Sequence, residues 1–146
     1  IRDRLVPVPP LHESFAIEGE GELLYMGRAG YLRYDKLVAG ITAVDMPALV
    51  QAFHNTRANF EWAFGSLGLD PGDVDNAVIR TLDLVLSTPE LERQVALKPR
   101  SVLYLYAEPE LEALPALQKQ LLRMGPDNVR QIKAQARLLR SALLAQ

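Results

Sequence analysis

The chain of 146 residues contains no cysteine, so thiol catalysis, disulfide frameworks and thiolate zinc sites are all excluded. Only two histidines and one tryptophan are present. No run approaches the 18 consecutive apolar residues of a membrane span. Charge of one sign is also in short supply: a net charge of -2 lacks the strongly basic balance of a general nucleic-acid binder, so no nucleic-acid partner is expected. What is present is ordinary for a globular domain. Hydrophobic residues make up 49% and charged residues 23%, and a chain of this length buries enough surface to fold without a disulfide or a structural metal.

Glycine and proline punctuate the chain. Val6-Pro7-Val8-Pro9-Pro10 reads as extended, because proline fixes its own backbone and pushes its predecessor out of the helical region. Residues 1–14 are therefore an extended lead-in and 15–146 a single domain. Two short strands, Phe15-Ala16-Ile17 and Leu23-Leu24-Tyr25, flank a glycine-bearing turn.

From there the period is helical. Tyr34, Leu37, Val38 and Ile41 place a first helix over about 31–43. Asp45 caps a second, with Pro47 in its first turn and an apolar stripe of Leu49, Ala52, Phe53, Phe60, Ala63, Phe64 and Leu67. The third follows the Asp70-Pro71-Gly72-Asp73 turn and is apolar in nearly every direction to Leu86, which marks it as central. A short helical turn is expected from Thr88 to Arg93. Val102-Leu103-Tyr104-Leu105-Tyr106 suits a strand or a helix equally by period, and its helical neighbours favour helix. Pro115 and Pro126 open the last two helices, separated by Gly125. The fold class is all-α: an irregular domain of about seven helices, several very short, with at most a small β-hairpin near the N-terminus.

Tyr31-Leu32-Arg33-Tyr34-Asp35, the Asp83 to Glu90 string, Pro99-Arg100-Ser101-Val102-Leu103-Tyr104, Ala107 to Glu112 and Gln118 to Asn128, with its Arg123-Met124-Gly125-Pro126 core, occur in order. Together they resemble an uncharacterised bacterial family, domain of unknown function 3014. That resemblance implies an envelope protein with a membrane anchor N-terminal to this chain and a soluble part on the extracytoplasmic, periplasmic side of the inner membrane. It implies no reaction, substrate or cofactor. A start at Ile1 is what a processed product or a piece of a longer chain would show.

No catalytic frame emerges. His12-Glu13 would need a second histidine where Ala16 stands, and Asp70, Asp73 and Asp75 fail the calcium-loop positions at Gly72, Asp75 and Thr81. No metal and no cofactor is expected, and a non-enzyme is favoured.

Two features remain. Residues 119–146 hold six basic side chains against Asp127 alone, a local charge of +5 that leaves -7 in the rest of the chain. Arg130, Lys133, Arg137 and Arg140 recur at 3, 4, 3 and form one stripe, either paired within the domain or facing an envelope protein or an anionic surface. Trp62 points away from the second helix's apolar stripe, so it is packed under another layer, such as the proline-rich lead-in, or anchors a partner. Intramolecular packing is the favoured reading. Arg33 and Arg123 sit at helix boundaries, suited to holding helix-end carbonyls, pairing with Asp83 or binding a ligand. The leading functional expectation is a non-catalytic interaction or scaffold module. The alternative is an enzyme or small-ligand binder whose site gathers His54, Glu61, Arg33 and Arg123 from dispersed positions.

Overall fold

The computed structural model describes residues 16–21, 23–101 and 103–145. The expected lead-in over 1–14, and any cover it gives Trp62, lies outside the described residues. The chain is mostly helical with a small antiparallel sheet. Strands β1 (Ile17–Glu20) and β2 (Leu23–Met26) form the expected hairpin. Helices α1 (Arg28–Leu32), α2 (Asp35–Thr42), α3 (Met46–Ser66) and α4 (Val74–Leu86) follow, with a 3-10 turn at Pro71–Asp73 before the last. The chain then returns to the sheet as β3 (Ala96–Arg100) and β4 (Leu103–Tyr106), and ends in α5 (Pro109–Glu112), α6 (Ala116–Leu122) and α7 (Pro126–Leu144).

The sheet order is β1-β2-β3-β4, every pair antiparallel, with Leu24 opposite Leu97 and Leu97 opposite Tyr106. The Leu103–Tyr106 string, for which the sequence favours helix, is thus a strand. An unbroken apolar run carries no period to choose between the two, and a distant partner, β3, decides it. Ser101, at a φ of 55°, makes the tight return between them. Pro99 is tolerated inside β3 because β2 pairs only with Ala96 and Leu97, leaving that end of the strand without a neighbour on one side.

Three other expectations change. The expected first helix begins earlier, at Arg28, and breaks at Arg33 and Tyr34 into α1 and α2. The segment from Thr88 to Arg93 is not helical, and its backbone instead supplies partners to α7. The centre of the molecule is also shared: α7 packs on α2, α3, α4 and α6, so α4 is not the sole central helix.

Two apolar clusters make the core. One joins Tyr34, Val38, Val85, Leu121, Met124, Val129 and Ala136 among the helices. The other sets Met26, Val95, Leu97 and Tyr106 of the sheet region against Leu111 and Leu122. Successive residues of α6, Leu121 and Leu122, serve one cluster each, which welds sheet and helices into one body.

Helix α3 is seated differently from its pattern. Asp45 caps it as expected, accepting the Ala48 N–H at 2.8 Å. Its inward side, however, is Val50, Phe53, His54, Arg57, Glu61 and Phe64, rotated by roughly 80° from the apolar stripe at 100° per residue. On that side Arg57 pairs with Glu61 of its own helix and with Asp75 on α4, while Val50 is buried. Much of the stripe is consequently left outside, with Leu49 38%, Phe60 44% and Leu67 75% exposed.

Candidate functional site

The basic stripe on α7 is largely consumed by the domain itself. Arg130 pairs with Glu92 and Asp127, and Arg140 with Asp83 at 2.6 Å. Lys133 is buried; its ammonium donates to the Thr88 carbonyl at 2.9 Å and pairs with Glu90 at 2.7 Å. That hydrogen bond holds the Glu90 carboxyl below its ordinary range, aided by the charges of Arg137 and Arg130. Arg130 and Arg137 are the exposed members, and Arg140 is half-buried.

Arg33 and Arg123 serve the interior. The Arg33 guanidinium donates to the Tyr34 hydroxyl at 2.7 Å and lies 4.7 Å from that ring's centre. Arg123 lies close enough to the Tyr106 phenol to favour its ionised form, and that hydroxyl donates to the Lys119 carbonyl at 2.9 Å. Burial pushes the Tyr106 phenol up to about 12 despite Arg123. Lys119 also bonds the Glu112 carbonyl and carboxylate, while the Tyr106 N–H donates to the same carboxylate. These contacts lower the Glu112 pKa, with the Lys119 bond the larger cause.

The dispersed-site alternative is only partly assembled. His54 lies between two cavities, one of about 650 Å³ against Met46, Val50 and Leu138 and one of about 390 Å³ against Arg57, Asp75 and Leu143. Its Nε2 is buried and makes no hydrogen bond among the described residues. Glu61, Arg33 and Arg123 line neither cavity. No group of acidic and histidine side chains suited to a metal occurs among the described residues.

Sequence reasoning missed one cleft, of about 720 Å³, between α1, the 91–94 segment and the start of α7. Tyr31, Met124, Gly125, Pro126 and Asn128 line it, so the Met-Gly-Pro part of the Arg-Met-Gly-Pro string forms its wall. The geometry there is structural. Asn128 Nδ2 donates to the Met124 carbonyl and to Asp35, both at 2.9 Å, locking α7 to α2. Gly125 has φ 84° and ψ 161°, a region open to glycine alone, and a Cβ there would fall 2.5 Å from the Tyr31 ring. Nothing about the string's spacing marked it as a wall, because Tyr31 lies on the other side of the sequence.

What stands open is α3. Trp62 is 75% exposed, and among the described residues nothing covers it. Around it lie Gln51, Asn55, Ala58, Asn59 and Ser66, so the outward arc of this 21-residue helix carries no charged side chain. The only charges on α3 are Arg57 and Glu61, both on the inward flank and tied to each other.

The molecule is therefore a mostly helical domain with a four-stranded sheet, whose polar clusters chiefly bind its own elements and whose outward helix arc is uncovered among the described residues. Residues 1–140 match the family model described as a protein of unknown function, DUF3014, and the chain belongs to that family. No curated protein and no solved structure matches it.

Proposed function

We propose that this domain is a non-catalytic interaction module that binds a protein partner through Trp62 and the uncharged outer arc of α3. The exposure of Trp62 carries the reading: a tryptophan 75% exposed on an uncharged helix arc is the kind of side chain that anchors in a partner's pocket. The basic stripe is a poorer surface, since Arg130, Lys133 and Arg140 already hold acidic partners of the same chain.

The setting we propose is the bacterial cell envelope, with the domain on the periplasmic side of the inner membrane and an anchor N-terminal to it. The family membership and the strings that first suggested it support this setting. No single helix among the described residues is long and apolar enough to cross a membrane.

A photo-crosslinking residue placed at position 62 in cells tests the reading. An envelope protein captured there, and missed when the same probe stands at Arg137, is the expected result. Capture at neither position, or equally at both, would sink it.

A further inference from the structure

Helix α3 carries a second pattern that Trp62 does not explain. Leu49, Phe53, Thr56, Phe60, Ala63 and Leu67 follow at intervals of 4, 3, 4, 3 and 4, the spacing of a heptad seam. Leu49, Thr56, Phe60 and Leu67 are exposed, while Phe53 and Ala63 are half-buried. The Phe53 and Phe60 rings stand 5.7 Å apart and make a continuous ridge. A seam of this kind fits a second helix, and three observations say which one.

The interval series reads the same in both directions. Set antiparallel to a copy of itself about a two-fold axis, α3 brings Leu49 opposite Leu67, Phe53 opposite Ala63 and Phe60 opposite Thr56. Each ring then meets a small side chain, which is how facing positions interdigitate and what an isologous interface requires. The flanks agree. Ala52, Asn59 and Ser66 on the outer flank bear no charge, and Arg57 on the inner flank is held by Glu61 and Asp75, so no free like charges confront one another. A lipid surface fits less well, because helices that lie in a membrane interface carry lysine and arginine on their polar side and the outer arc of α3 has neither.

We propose that two copies of this chain associate through antiparallel pairing of α3 along this seam. The pairing goes beyond the Trp62 reading and is independent of it, since Trp62 lies about 140° round the helix from the seam and stays outside the pair. At about 30 Å long, the seam is short of the largest obligate interfaces, so a reversible dimer is expected.

Sedimentation equilibrium over a concentration series tests it, with crosslinking to fix the geometry. The chain should double in mass as concentration rises. Phe60→Asp, at a position already 44% exposed, should remain folded by circular dichroism and lose the dimer. Because the chain has no cysteine, single cysteines report cleanly. Asn59→Cys, beside the axis, should be joined to its own copy by a short bis-maleimide, whereas Ala58→Cys, at the same height on the opposite side of α3, should not. Mass that stays monomeric throughout the series, or equal crosslinking at 58 and 59, overturns the pairing. A monomer that still captures a partner from position 62 would overturn the pairing alone and leave the Trp62 reading standing.

Discussion

Lys133 reaches across 45 residues of sequence to donate to the carbonyl of Thr88, and its side chain is only 8% exposed. Thr88 is itself 1% exposed, so the contact closes a polar seam inside the packing of α7 on the 87–95 segment. Lys133→Ala would leave a buried carbonyl without a donor, an omission that costs on the order of 2 kcal/mol. Urea unfolding should show that loss. Arg137→Ala, one helical turn on and exposed, should change stability by less than about 0.5 kcal/mol.

Acid should weaken the fold. Lys133 lowers the Glu90 pKa in the folded state, and Lys119 with the Tyr106 N–H lowers that of Glu112, both from an ordinary value of 4.5. In the interval between folded and unfolded pKa values the unfolded chain binds more protons, so stability rises with pH there. The contribution of both groups is complete above 4.5 and fades as pH falls through their lower folded values. Melting temperatures should decline as pH falls below 4.5, and the Glu90→Gln plus Glu112→Gln variant should decline less steeply there. An equal slope in the variant would contradict this assignment.

Gly125→Ala should be severe. The backbone region alone costs about 1–3 kcal/mol for a side chain, and the Tyr31 ring stands where the methyl would go. Adding Tyr31→Ala should recover part of the loss, so a double-mutant cycle is expected to be non-additive. Strict additivity would show that the ring is not the obstacle.

One phenol should titrate late. Spectrophotometric titration of the folded protein is expected to show a tyrosine near 12, missing in Tyr106→Phe. The same variant loses the bond to Lys119 and should be destabilised by about 1 kcal/mol.

Trp62 offers a direct optical check, because it is the only tryptophan. Its emission should be that of a solvated indole and should be readily quenched by acrylamide. Trp62→Ser should leave the melting temperature almost unmoved, as expected of an exposed position.

The elements legible in the sequence were those written in local chemistry. Asp45 with Pro47 announced α3, Pro126 after Gly125 announced α7, and the glycine-bearing turn announced β1 and β2. Strand β4 was not legible, since its identity rests on pairing with β3 rather than on its own period. The seating of α3 was hidden for a similar reason: an apolar stripe predicts which side is buried, but which side meets the body depends on packing against α7 and α4, which are distant in sequence. Trp62 was placed correctly off that stripe by angle alone. The fate of the basic residues depended on Glu92, Glu90 and Asp83, which no spacing connects to α7.

The whole run from α1 to α4 is inserted between two neighbouring strands of the sheet, with Leu24 of β2 hydrogen-bonded beside Leu97 of β3. During synthesis the N-terminal hairpin therefore emerges long before the strand that completes it. The helices between have time to form by local contacts, whereas closing so large a loop carries an entropic toll that only finished packing offsets. Sheet completion should be the late, rate-limiting event of folding, and until β3 arrives the outer edge of β2 remains the part of the nascent chain most open to mispairing.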